Sequence, residues 1–239
     1  GLNGVGSGME VGASMAWAHH TAELDLPVDV IQEDEIASVQ VFRKPLGVVA
    51  SITPWNWPLM IAIWHVMPAL RAGNTVVIKP SPLTPLATVR FVEMANEILP
   101  PGVLNVIIGD ASIGAALSEH PDVNKIVFTG STPTGRNIMQ AASAHLKRLT
   151  LELGGNDAGF VLNDVNVKDV APKLFAAAFH NNGQTCACLK RMYVHESIYE
   201  ELCEELAQLA KTVVVGDGMQ DGVELGPLQN KAQLAIVID

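Results

Sequence analysis

Two of the chain's three cysteines sit one residue apart in 180-HNNGQTCACLKR-191. A cysteine attacks carbon as its thiolate, so it must be reachable and lie where the charged form is favoured. The stretch NNGQTC supplies small or polar side chains and a glycine, which lets backbone approach a bound molecule closely. These residue types favour chemistry over packing, but they do not choose between Cys186 and Cys188. An odd, small cysteine count speaks against a disulfide framework and for a reducing compartment. No second Cys/His cluster with ligand spacing accompanies the pair, so no metal site is expected.

Four further segments carry candidate groups. In LELGGN, Glu152 lies between two leucines at a strand end, just before a Gly-Gly break. A carboxylate in apolar surroundings is costly unless paired or employed, and such surroundings suit a general base; a structural acid paired with Lys or Arg is the competing explanation. In TPWNWP (53–58), Asn56 sits between two tryptophans and two prolines, where its amide could donate to a developing oxyanion or simply form a turn. In FTGSTPTGR (128–136), Gly130 and Gly135 permit a tight turn into a helix whose free N–H groups attract phosphate. In VIKPSPLTP (77–85), Lys79 ends an apolar run; it can reach a ribose or phosphate, or can merely be solvated.

These segments must be held by regular elements. Apolar, β-branched runs at 46–52, 74–80, 103–109, 125–130, 148–155 and 158–162 predict strands. Helical periodicity predicts helices from Pro58 to Arg71, from Pro85 to Leu99 (Leu86, Val89, Ala95 and Ile98 inward), at 113–120 and at 133–144. Further helices are expected over 167–179 and 196–211, the latter with Cys203 packed beside its inner stripe. Short strands alternating with helices make right-handed βαβ units and a parallel sheet, an α/β, doubly wound architecture. Ligands of such sheets bind beyond the carboxyl ends of the strands. Before residue 46 the pattern is weaker, with a helix-like MEVGASMAWAHHTAEL and an extended ASVQVFRKP.

A net charge of −10 argues against a nucleic-acid partner. No apolar run reaches the ~18 residues of a membrane span, and no signal peptide is visible, so a cytoplasmic location is expected. The first residue is not Met, and the last residues, AIVID, look like the interior of a helix, so a partial chain is expected.

In order, PWN, KPS, FTGSxxxG, LELGG and NxGQxC followed by an Arg five residues on resemble the NAD(P)-dependent aldehyde dehydrogenase superfamily, from about residue 20 onward. The resemblance implies that fold: a Rossmann-like cofactor domain (46–153), preceded by an N-terminal helix and part of an oligomerising hairpin (1–45), and followed by the start of an α/β catalytic domain (154–239). It makes Cys186 the nucleophile, the Asn56 amide and the Cys186 backbone N–H the oxyanion donors, and Glu152 the base that activates water on the thioester. It places Lys79 at the adenosine ribose, Ser131 at the pyrophosphate with Gly130 and Gly135 shaping that turn, and Thr53, Pro54 and Trp55 along the dinucleotide cleft. Leu153 faces the carboxamide end, and Gly109 lets the adenine side approach. Pro82 stands where many NAD-preferring members carry Glu, so NADP, held by Ser81 with Lys79, is open beside NAD. His65 stands where Lys is common.

The same resemblance implies an aldehyde substrate, a tunnel wall including Trp57, Met60, Ile61 and Trp64, and a homodimer or homotetramer in the full-length form. Family subunits are about twice this length. A second possibility is a catalytically incomplete nucleotide-binding or structural fragment of the fold.

Overall fold

The computed structural model describes residues 4–238. The element order is α1 (Gly4–Glu23), β1 (Asp29–Glu33), β2 (Ser38–Val41), β3 (Val48–Ile52), α2 (Pro58–Arg71), β4 (Thr75–Lys79), α3 (Leu86–Ala95), β5 (Leu104–Val106), α4 (Ala111–Glu119), β6 (Val123–Thr129), α5 (Thr132–Ser143) and β7 (Arg148–Glu152). Then come β8 (Asp157–Val161), α6 (Val167–Phe179), β9 (Leu189–Val194), α7 (Tyr199–Thr212) and α8 (Lys231–Ile238). The chain divides into two compact units: Glu10–Leu153, and the stretch from Gly154 on with the stretch up to Met9.

The first unit is built on a five-stranded sheet of order β5-β4-β3-β6-β7, with every neighbouring pair parallel. Chain order reverses between β3 and β6, which makes that the switch point of a doubly wound sheet. Two apolar clusters flank it. Val49, Ala62, Val66, Val76, Ile78, Val92 and Leu104 form one. Ala50, Ile52, Val123, Ile126, Phe128, Ile138 and Ala142 form the other. Successive residues of β3 thus feed opposite clusters, so the strand is apolar throughout instead of alternating. Each fully buried Val or Ile contributes about 1.5–3 kcal/mol. β1 and β2 form a separate antiparallel hairpin.

Three expectations are corrected in this unit. On α3 the buried residues are Thr88 and Val92, whereas Leu86 and Ile98 are 81% and 87% exposed. The stripe follows the residues that meet the sheet, and Ile98 lies beyond the helix. The strand expected over 103–109 is only Leu104–Val106, because β5 is a short edge strand. Trp57 and Ile61 are buried core residues and line no open wall.

In the second unit β8 and β9 pair in parallel through α6. Val161, Val167, Ala171 and Leu202 form its core. α7 begins at Tyr199, after a short 3-10 turn. Cys203 is exposed, not packed, because it directly follows Leu202, the one buried residue of that helix. No helix among the described residues is long and apolar enough to cross a membrane.

Candidate active site

Within the first unit the predicted cofactor residues gather at one edge. Thr53–Asn56 follow β3, Lys79 ends β4 with Ser81 just beyond, Gly109 follows β5, Gly130 and Ser131 follow β6, and Glu152 ends β7 before Leu153. Parallel pairing forces this, since every carboxyl end points the same way. The ladder continues past the strands: Thr53 N–H donates to Lys79 O (3.2 Å), Ile107 N–H to Ile78 O (2.9 Å) and Gly130 N–H to Glu152 O (3.0 Å).

Each group has a specific environment. Lys79 is buried, and its Nζ donates to the Pro80 carbonyl at 2.8 Å, so it is not a solvated lysine. Burial pushes its ammonium below the ordinary range, against the opposing charge of Asp110. Ser81 is buried, and its Oγ accepts from Leu83 N–H. Ser131 caps α5, its Oγ meeting Thr134 N–H at 3.4 Å and Thr134 Oγ1 at 2.9 Å. A Cβ on Gly130 would lie 2.5 Å from the Phe128 ring, and one on Gly135 2.7 Å from Leu153. A Cβ on Gly109 would meet Ile113. Thr53 is buried, and its Oγ1 has no hydrogen-bond partner among the described residues.

Glu152 departs from expectation. It is exposed, because it is the last residue of an edge strand, and the apolar surroundings expected of it are absent. Neither ion pair among the described residues involves it.

His65, on α2, is buried beneath the switch point. Its Nδ1 is 2.9 Å from Ser51 Oγ on β3 and its Nε2 is 2.9 Å from Thr129 Oγ1 on β6. Burial pushes its pKa down to about 4, so the neutral ring ties the two strands together at neutral pH.

In the second unit the cysteine loop joins α6 to β9. Asn181, Asn182 and Gly183 all have left-handed backbone, with φ of 52°, 59° and 73°. Asn and Gly are the residues that tolerate this conformation. Asn182 Nδ2 donates to Gly226 O, and Gln229 N–H donates to Gln184 Oε1 at 2.9 Å. The loop presents Cys186 exposed and Cys188 buried, with Cys188 Sγ 3.6 Å from His180 O. The cysteine pair is thereby divided between surface and interior.

The profile of the "Aldehyde dehydrogenase family" matches residues 7–238. The chain belongs to the aldehyde dehydrogenase family. It is 45% identical to a phenylacetaldehyde dehydrogenase of Pseudomonas fluorescens over 238 residues, covering 93% of this chain and 46% of the relative. PnpE of Pseudomonas sp. WBC-3, in complex with nicotinamide adenine dinucleotide, superposes with a TM-score of 0.90 at 43% identity, over 96% of this chain and 47% of that one. An E. coli "NADP dependent enzyme" superposes at 0.88 with 36% identity, over 94% and 47%. The chain therefore spans about half the length of these relatives.

Two supports of the cysteine loop escape a reading of this aldehyde dehydrogenase sequence by residue type. A Cβ on Gly155 would fall on the Cys186 carbonyl oxygen, so the second glycine of LELGGN makes room for the cysteine's own backbone. The Gly-Gly doublet is the available signal. Lys190 Nζ donates to Thr185 O (2.7 Å) and Cys186 O (3.1 Å). Arg191 Nε ties Asn156 O to β9 at 2.8 Å, which gives the arginine five residues after Cys186 a bracing place. Among the described residues no group of three or more His, Cys, Asp or Glu could hold a metal ion.

Proposed function

We propose that the chain is the cofactor-binding and nucleophile-bearing part of an NAD(P)-dependent enzyme that oxidises an aldehyde to a carboxylic acid. The observation that carries this reading is the gathering of Thr53, Lys79, Ser81, Gly130 and Ser131 at the carboxyl edge of the sheet, in a chain of this family. The edge fits a dinucleotide. Thr53 offers a buried hydroxyl that is free to bond, the N-terminus of α5 favours negative charge, and glycine at 130 and 109 avoids clashes with Phe128 and Ile113, which keeps the two turns tight. Lys79 and Ser81 would hold the adenosine ribose, Ser131 with Gly130 and Gly135 the pyrophosphate, and Thr53, Pro54, Trp55 and Leu153 the rest of the cleft, with Gly109 at the adenine. Bound nicotinamide supplies the hydride acceptor.

The protein groups do the remaining work. The Cys186 thiolate adds to the aldehyde carbon as the carbonyl electron pair moves onto oxygen. The Asn56 amide and the Cys186 backbone N–H donate to that oxyanion. After oxidation the acyl group is a thioester on Cys186. Glu152, well solvated at its strand end, takes a proton from water, and hydroxide displaces the thiolate to give the acid. Pro82 is exposed and puts no carboxylate beside Ser81, which supports use of NADP as well as NAD.

Phenylacetaldehyde, lactaldehyde and a semialdehyde form the test panel, each with NAD and NADP. Cys186→Ser in the full chain should abolish turnover, by about 10⁴-fold or more, while cofactor affinity stays within a few-fold. Glu152→Gln should give one burst of reduced cofactor and then stall, with acyl-enzyme visible by mass; normal steady-state turnover would remove Glu152 from the mechanism. The β1–β2 hairpin exposes Val30, Ile31, Val39 and Val41. This supports homodimer or homotetramer formation, measurable by light scattering.

A further inference from the structure

Asn56 lies between β3 and α2, and the start of α2 is unusual. Its N-cap is Trp57, which has no capping side chain, and its first residue is Pro58, which has no N–H. The next two amides, of Leu59 and Met60, donate to a single carboxylate oxygen, Oε1 of Glu10, at 2.9 and 3.1 Å. Glu10 belongs to α1, 49 residues earlier than Leu59, and is only 6% exposed. Burial pushes its carboxyl up, and the two amides oppose this. No Lys or Arg pairs with it among the described residues, so the helix terminus itself is the compensation for its charge.

Two hydroxyls hold the same segment from another side. Thr84 Oγ1 donates to Trp55 O and Thr88 Oγ1 donates to Pro58 O, each at 3.2 Å. Thr88 is fully buried. The six residues 55–60 are thus fixed at both carbonyls and amides by side chains from α1 and from the Thr84–Thr88 turn into α3. An ordinary helix start would need one Ser or Asp at position 57. This arrangement fixes the segment on both sides of Asn56.

We infer that Glu10, supported by Thr84 and Thr88, is a positioning residue that sets the place of Asn56. The inference rests on the proposed oxyanion role of Asn56. A donor must meet the oxyanion within a few tenths of an ångström to be effective, so loosening the segment acts on the rate and not on cofactor binding.

The test is a double-mutant cycle in the full chain, with Glu10→Ala, Asn56→Ala and both together, read as kcat, aldehyde KM and NADH affinity by fluorescence. Glu10→Ala should lower kcat about 10- to 100-fold and change cofactor affinity less than about 3-fold. It should cost almost nothing further when Asn56 is already Ala. Glu10→Gln, whose amide oxygen still accepts, should recover part of the rate. The Leu59 and Met60 amide resonances should move upfield in Glu10→Ala. If Glu10→Ala lowers thermal stability but leaves kcat intact, or if the two losses multiply independently, Glu10 is only a helix cap and the inference falls. If Asn56→Ala leaves kcat intact while the two resonances still respond to Glu10→Ala, the oxyanion reading fails and the anchor alone survives. Should Glu10→Ala not fold, Thr84→Val frees the Trp55 carbonyl and enters the same cycle with the same criteria.

Discussion

The five-stranded sheet and the β8–β9 pair are both parallel and both closed by crossover helices, yet they are buried very differently. In β3 and β4 seven of the ten residues are buried and the other three half-buried, and Ala50, Val76 and Ile78 are fully buried. In β8 only Val161 is buried, and Phe160 and Tyr193 stack with centroids 5.1 Å apart while 74% and 49% exposed. The candidate chemistry differs in the same way. The sheet carries its groups on strand ends, where pairing fixes their positions. The second unit carries Cys186 on a helix-to-strand loop, where three left-handed residues and side-chain hydrogen bonds must replace pairing. One unit positions by register, the other by turn chemistry.

That contrast can be broken by measurement. Ile126→Ala, at a fully buried site of the interior strand β6, should cost about 3–4 kcal/mol in urea unfolding; an equal cost for Phe160→Ala would void the distinction. The His65 clasp sharpens it next. The ring's pKa is held at about 4 in the folded state, against about 6.5 when unfolded. Between those values the unfolded chain binds the extra proton, so stability falls as pH drops from about 6.5 toward 4 and levels below. About 3 kcal/mol of the acid loss should belong to His65 and disappear in His65→Asn, read from urea midpoints at pH 7 and pH 4. In the other unit, Gly155→Ala must displace the Cys186 carbonyl, at about 1–3 kcal/mol. Iodoacetamide labelling of Cys186 should change several-fold, while buried Cys188 stays unlabelled until unfolding. Phe160→Ala should be the mildest, within about 1 kcal/mol.

What the sequence made legible follows the same division. Strands β3, β4 and β6 were readable because apolar runs of that length, between helical periods, have no other economical packing. The carboxyl-edge placement of Thr53, Lys79 and Ser131 then follows from parallel topology alone. The environment of Glu152 was not readable, since flanking leucines do not reveal that a strand is at the sheet edge. Nor was the face of α3, where a buried Thr88 outranks the larger Leu86. Glu10 was invisible for a simpler reason: its partners are 49 and 50 residues away and are backbone amides, which leave no trace in residue type.

The amino ends of the sheet strands carry none of the proposed machinery. There the chain turns at Gly73 and Gly102, both with positive φ, and at Leu146, which is 90% exposed with φ of 51°. Leu146 precedes β7, whose far end carries Glu152. A maleimide handle or a spliced peptide tag at Leu146 would therefore tether the protein to an electrode or bead by its inert margin. The opposite margin would stay open to small molecules arriving from solution.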